Sequence, residues 1–316
     1  MATQLGNLYI SDYGNSRIRK VLATTGAIST VAGTGDAGYT GDGDQATSAN
    51  IQMPLGINLD SASNIYFGDG GYNVVRKITV STGIISTVAG TGSAGYNGDN
   101  MQATAATLYT PYDVVLDSSD NLYIADRNNH RIRKVTVSTG EISTIVGTGA
   151  DSSSGDGSEA SSASISSPTF SRFDSAGNYY ISECGGYRIR KVAHLVDAAP
   201  TVSPTIFITP YTSVITTIAG SGEDGYSGDN EPATSADING PTGIATDDYG
   251  NIYFSDGNNN RVRVVNSYGV IYTVAGNGEY GSSADDDIAA TSAPLAYPAG
   301  VALHNTTEGN SYISLS

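Results

Sequence analysis

The residues of this chain best suited to chemistry are acids and tyrosines set in glycine-rich segments. Five such segments read GTGDAGYTGDGDQATSA, GTGSAGYNGDNMQATAA, GTGADSSSGDGSEASSA, GSGEDGYSGDNEPATSA and GNGEYGSSADDDIAATSA. They place Asp42, Asp99, Asp156, Asp229 and Asp285 at equivalent or nearly equivalent positions, with Tyr39, Tyr96 and Tyr226 three residues ahead of three of them. Carboxylates brought together by a repeat are oxygen donors for a hard cation, which makes Ca²⁺ the candidate metal. With the phenol rings they would also suit a basic protein or a glycan. Ca²⁺ needs about six to eight oxygens from a shaped loop, however, and none of the segments has the EF-hand order with glycine at its sixth position. The same residues have a structural use. Asp42 with Gln45, Asp99 with Gln102 and Asp156 with Glu159 have capping-box spacing, so each Asp would cap one short helical turn. Capping is the more economical reading, and ligand binding stands beside it.

Other reactive groups are sparse. The histidines are His130, His194 and His304, far apart in the repeat frame and poorly placed to converge on one Zn²⁺. Cys184, the only cysteine, excludes an intrachain disulfide framework, and no activating base stands beside it. The glycine-rich runs are not followed by a helix carrying Lys, so they are turns and not phosphate cradles. A formal charge of -16, from 31 acids against 15 Lys and Arg, argues against nucleic acid and anionic membrane surfaces as electrostatic partners. No apolar run is long enough to span a bilayer, and the first residues, MATQLGNLYISD, lack the basic and apolar regions of a secretory signal.

The elements that position these residues are repeated. The run NLYIADRNNHRIRKV from Asn121 recurs as NLYISDYGNSRIRKV from Asn7, NIYFGDGGYNVVRKI from Asn64, NYYISECGGYRIRKV from Asn178 and NIYFSDGNNNRVRVV from Asn251, at intervals of 57, 57, 57 and 73 residues. Prolines at 54, 111, 168, 241 and 298 repeat the same rulers. A period of this size denotes units that stack because none buries its apolar face alone. Within a unit four short apolar bursts alternate with Gly, Asn, Asp and Ser, the punctuation of a β-meander. Called a to d, they fall in the second unit at Ile57–Leu59, Ile65–Phe67, Val74–Ile78 and Ile84–Ala89. The expected fold is all-β, a β-propeller of four-stranded antiparallel blades. The connections alternate between faces, which puts the long d–a segments on the face of the b–c turns.

The tyrosine two residues after each leading Asn, including Tyr66, Tyr123 and Tyr180, reads as packing between blades with its hydroxyl satisfied at the edge. Thirteen of the 15 basic residues lie at strand-c positions. Asp12, Asp126, Glu183 and Asp256 each precede an Arg by five residues across the b–c turn, which suits a cross-strand ion pair. Val74 takes that Arg's place after Asp69, so one blade is expected to lack the pair.

The run IADRNNHRIRKV, with a proline and an apolar a strand ahead of it, resembles the NHL repeat, with Asn129 and His130 at the name-giving Asn and His. The fuller pattern, with VAGTG and GYxGDxxxATxA, is similar to long NHL-type units of secreted and surface proteins. The resemblance implies a propeller and leaves function open, because the family includes RNA-binding, protein-binding and occasionally enzymatic modules.

The chain is expected to form one propeller over residues 1–316, with blade units 1–53 plus 298–316, 54–110, 111–167, 168–240 and 241–297. That makes five blades if the terminal a strand completes the first. A second terminal b strand, GNSYISLS, competes for the same place, so the alternative is six blades with one incomplete, and an unmatched strand offers a route to self-association. A 16-residue insertion near His194 to Tyr211 lies between strands c and d and is a candidate docking element. The leading functional expectation is a non-enzymatic interaction, adhesion or structural module, extracellular or at the cell surface, meeting a protein or glycan through its acidic loops. The alternative is a propeller hydrolase or lyase with a metal-dependent site in the central channel.

Overall fold

A computed structural model of the chain describes residues 7–195, 213–282, 288–305 and 311–315. Asp285 and most of the insertion lie outside these residues. The chain divides into two compact units, Met1–Ile145 and Val146–Ser316.

The first unit opens with β1 (Leu8–Asp12), β2 (Arg17–Val21) and β3 (Ile28–Ala32), a three-stranded sheet of b, c and d strands. A complete blade follows in β4 (Pro54–Leu59), β5 (Ile65–Asp69), β6 (Val74–Thr79) and β7 (Ile84–Ala89). The next sheet has five strands, because β8 (Met101–Gln102) joins the blade formed by β9 (Pro111–Leu116), β10 (Leu122–Asp126), β11 (Arg131–Thr136) and β12 (Glu141–Val146). The second unit carries two more four-stranded blades. These are β13 (Pro168–Phe173), β14 (Tyr179–Glu183), β15 (Arg188–Val192) and β16 (Ile215–Ala219), then β17 (Pro241–Thr246), β18 (Ile252–Asp256), β19 (Arg261–Val265) and β20 (Ile271–Ala275). It ends in a two-stranded sheet of β21 (Val301–Asn305) and β22 (Ser311–Leu315).

The chain is thus an all-β propeller of antiparallel four-stranded blades, five by the count of b–c–d units, as the repeat predicts. The terminal a strand takes the carboxy-terminal b strand as its partner, from Val301↔Leu315 to Asn305↔Ser311. In this sheet the competition foreseen for that strand goes to GNSYISLS.

The residues of the b strands β5, β10, β14 and β18 are almost wholly buried. Within each unit successive sheets share a core. Ile18 and Ala32 of the first sheet pack with Ile65, Phe67, Ile78 and Ile85 of the second, and Ala46, Ala49 and Ile51 of the connecting segment complete that cluster. The repeated tyrosine behaves as expected: Tyr66, Tyr123 and Tyr180 are buried, and their hydroxyls donate to Asp60, Asp117 and Asp174 at 3.2, 3.0 and 3.1 Å. A lysine of the adjoining c strand lies over each ring, as Lys134 does over Tyr123 at 5.2 Å.

The b–c connection, a one-turn 3-10 segment in four sheets and a plain turn between Glu183 and Arg188, is closed by a residue in the left-handed region: Ser16, Asn73, His130, Tyr187 or Asn260, with φ between 50° and 55°. The d strand then ends at a glycine of positive φ. At Gly33, Gly90, Gly220 and Gly276 a Cβ would collide with the carbonyl oxygen of that left-handed residue. Only glycine lets the departing chain cross so close to the turn.

Candidate functional site

The glycine-rich segments are not free loops. Each of the first four leaves the end of one d strand and lies along the d-strand edge of the following blade. Met101 and Gln102 pair with Ile142 and Glu141 of β12 as a short fifth strand. Single bridges Gln45↔Ile84, Glu159↔Val214 and Pro232↔Val270 repeat the arrangement. The amides of Gly43, Asn100, Gly157 and Asn230 donate to Ile85, Ile142, Ile215 and Ile271 at 2.8 to 2.9 Å. The otherwise open edges of β7, β12, β16 and β20 are thereby covered.

The expected capping role of the loop aspartates is not what the structure shows. The one-turn segments Ala46–Ser48, Ala103–Ala105 and Ala160–Ser162 have Gln45, Gln102 and Glu159 at their N-caps, with no side-chain capping bond. The aspartates instead meet a buried arginine of the following blade. Arg76 Nη2 reaches Asp42 at 2.6 Å, Arg133 Nη2 reaches Asp99 at 3.0 Å, Arg190 Nη2 reaches Asp156 at 2.6 Å and Arg263 Nη2 reaches Asp229 at 2.8 Å. The same guanidinium turns its Nη1 to the acid ending the b strand: Asp69 at 3.8 Å, Asp126 at 3.5 Å, Glu183 at 2.8 Å and Asp256 at 3.3 Å. The four arginine side chains are at most 1% exposed. Burial of such a cation is offset chiefly by the nearer loop aspartate, 2.6 to 3.0 Å away.

This corrects two sequence expectations. The ion pair is made by the arginine seven residues after the acid, not five, although the residue five ahead lies directly opposite in register, as Arg131 does to Asp126. The blade holding Val74 does not lack a pair, since Arg76 serves Asp69. The first arginine has a different task. Arg131 and Arg261 donate to the turn carbonyls of Asn129 and Asn259 at 3.0 and 3.1 Å, and their guanidinium carbons lie 3.9 and 3.6 Å from the ring centres of Tyr96 and Tyr226. Both tyrosines also donate to the loop acid, to Asp99 and Asp229, at 3.0 Å. Where Val74 removes that arginine, Tyr72 stacks on Tyr39 instead, with ring centres 5.5 Å apart.

The name-giving Asn of the resemblance joins this arrangement. Asn129 donates to Asp126 at 2.8 Å and to the loop carbonyl of Gly95 at 2.7 Å, and Asn259 binds Asp256 and Gly225 at 2.9 and 2.6 Å. His130 supplies the left-handed turn residue. Two blades depart from the pattern. Tyr72 stands in the Asn place beside Asp69, whose Oδ2 is buried without a hydrogen-bond donor. Gly186 stands there beside Glu183, where a Cβ would collide with Glu183 Oε2. The longer acid occupies the space the amide fills elsewhere.

Electrostatics follow burial. Desolvation pushes the Asp69 carboxyl up to about 7, only partly opposed by the Gln52 amide and Arg76. Desolvation also raises Asp126, to about 6, against donors from Asn129 and Tyr109. Glu183 and Asp256 are raised for the same reason. At the surface the balance reverses. Burial pushes Asp156 and Asp229 up, but hydrogen bonds from Thr217 and Thr273 with the Arg190 and Arg263 charges outweigh it, and both lie below the usual range.

The predicted site residues Tyr39, Asp42, Tyr96, Asp99, Asp156, Tyr226 and Asp229 are therefore parts of blade-to-loop clasps, each with its own blade. Their carboxylates face guanidinium groups. Among the described residues no group of three or more His, Cys, Asp or Glu is arranged to hold a metal ion. Asp99 and Asp229 keep 27% and 28% side-chain exposure beneath a tyrosine hydroxyl, whereas Asp42 and Asp156 keep 42% and 50%.

Similarity to known proteins agrees with this architecture. Residues 108–135 match the NHL repeat, and residues 161–313 match the Teneurin NHL domain. Those two stretches carry NHL-type sequence on the β-propeller blades described above. The chain is 27% identical over 282 residues to mouse Teneurin-3, covering 82% of this chain and 10% of the relative. It is 30% identical over 153 residues to the chloroplastic Protein SUPPRESSOR OF QUENCHING 1 of Arabidopsis thaliana, covering 46% of this chain and 14% of that protein. The chain thus spans only a small part of the curated relatives it matches. A streptogramin B lyase structure superposes over 100% of this chain and 74% of its own, with TM-score 0.53 and 16% identity, a likeness of fold.

Proposed function

We propose that the chain is a non-enzymatic interaction module, extracellular or at a cell surface, that presents its acidic and aromatic loop residues to a protein or glycan partner. The observation that carries this reading is the clasp itself. A buried arginine in each of four blades fixes a loop whose outer residues remain open to solvent. Tyr96 and Tyr226 are 39% and 42% exposed, and the exposed acids Asp36, Glu223 and Asp224 sit on the same loops outside the clasps. Such a surface is rigid before contact, which lowers the entropy of ordering on binding. The teneurin likeness supports a protein-binding role and surface placement. The test is cell binding and glycan-array binding of the wild type against a variant carrying Asp36→Asn, Glu223→Gln and Asp224→Asn. Binding should fall at least tenfold with unchanged melting, and unchanged binding by that variant would rule out the acidic loops as the contact surface.

A further inference from the structure

The third glycine-rich segment lacks a ring that three others carry. Ser153 stands three residues ahead of Asp156, where the first, second and fourth segments have Tyr39, Tyr96 and Tyr226. All the groups that receive the ring elsewhere are still present. Arg188 matches Arg131 and Arg261, which stack on the ring, and Arg190 matches Arg133 and Arg263 at its edge. Asp156 matches Asp99 and Asp229, the acceptors of the phenol, and Thr217 matches Thr273, whose hydroxyl lies 3.2 Å from that of Tyr226. The missing ring leaves a surface pocket of about 210 Å³ lined by Ser153, Ser154, Asp156, Arg188, Arg190 and Thr217. A cavity of about 150 Å³ is enough for a benzene ring.

We propose that this pocket binds the phenol ring of a tyrosine presented by a partner protein. The occupancy of the sister blades defines the ligand, since the chain itself places a tyrosine against the same residues twice with both arginines present. The donors of Arg188 are already used in its plane, by Ser221 O at 3.0 Å and Ser153 O at 3.4 Å, which leaves its flat face for stacking. Arg190 is held by Asp156 at 2.6 Å and Glu183 at 2.8 Å. The site therefore favours an aromatic ring over an inorganic anion. Asp156, half exposed for want of the hydroxyl that covers Asp99 and Asp229, is the acceptor for the incoming phenol. Open access from solvent suits a ring carried on another chain.

This rests on the reading of the chain as an interaction module, but it can be tested without the natural partner. Saturation-transfer NMR with N-acetyl-tyrosinamide should show saturable binding, with N-acetyl-phenylalaninamide at least fivefold weaker. Ser153→Tyr should abolish that binding and raise the melting temperature by supplying the ring in cis, and Arg188→Ala should weaken it at least tenfold. A Gly-Gly-Tyr-Gly-Gly peptide should bind at least as tightly as p-cresol. Absence of tyrosinamide binding, equal binding of the phenylalanine analogue, undiminished binding by Ser153→Tyr, or preference for inorganic phosphate would overturn the proposal. Binding of p-cresol with exclusion of the peptide would overturn its assignment to a protein-borne tyrosine. Those failures would leave the outcome of the acidic-loop variant untouched, so the two readings fall separately.

Discussion

Arg133 Nη2 lies 3.0 Å from Asp99 Oδ1 across 34 residues of sequence, the guanidinium wholly buried and the carboxylate 27% exposed. The contact fastens a connecting segment to the blade that follows it. Asp99→Ala should lower unfolding free energy by about 1–3 kcal/mol, between the values for exposed and fully buried pairs. Asp156→Ala should cost less, because that carboxylate is 50% exposed and Arg190 keeps a 2.8 Å bond to Glu183. Urea denaturation of the two variants checks the order.

Asp69 should make stability rise as pH falls. Its folded pKa, near 7, is above the unfolded value of 3.8, so the folded chain takes up a proton between those limits before the unfolded chain does. Above about pH 7 the ionised form is a cost, which is relieved progressively towards pH 4. Asp69→Asn should therefore stabilise the protein at pH 8 by up to a few kcal/mol, roughly the linkage of a three-unit shift. The advantage should shrink as pH is lowered to 5. Unfolding measured at both pH values decides this.

Glu183 and Gly186 are expected to be coupled. Gly186→Asn alone should destabilise, because a Cβ collides with Glu183 Oε2, and Glu183→Asp alone should leave Arg190 poorly paired. The double variant recreates the Asp and Asn of the blade at residues 111–167, where Asn129 donates to Asp126. It should be more stable than the sum of the single effects predicts, by about 1 kcal/mol or more. A double-mutant cycle in urea gives the coupling directly.

Tyr123→Phe should cost about 0.5–1.5 kcal/mol, the usual loss for one internal hydrogen bond, because the ring packing and the lysine over it survive while the 3.0 Å bond to Asp117 does not. Thermal melts should show a small downward shift, and spectra of the folded protein should be unchanged.

The strands and the tyrosine were legible because both depend on local pattern. Apolar alternation bounded by Asn, Gly and Asp gives Ile65–Asp69 and Val74–Thr79 closely, and a tyrosine at the same place in every b strand has one packing environment. The clasp was not legible through the b–c turn. Register places Asp126 opposite Arg131, yet the partner is Arg133, and the second acid comes from a segment already passed. A signal for it did exist in the constant 34-residue interval from Asp42 to Arg76, Asp99 to Arg133, Asp156 to Arg190 and Asp229 to Arg263. It persists in the unit of 73-residue spacing, because the insertion falls after the arginine. The exception at Ser153 is likewise written in the sequence, but its meaning requires knowing what the tyrosine does in the other loops.

The covering of four d edges by the segment that precedes each blade shifts the natural module boundary. Proline to proline is the repeat of the sequence, but the cassette that carries its own edge cover and clasp runs from the glycine after one d strand to the end of the next. Such cassettes are residues 33–89, 90–146, 147–219 and 220–275, bounded by the d-strand ends at Ala32, Ala89, Val146, Ala219 and Ala275. Blades exchanged or duplicated in that frame keep each arginine with its aspartate. Cuts made at the prolines separate them, and leave each buried arginine to the aspartate of a foreign loop.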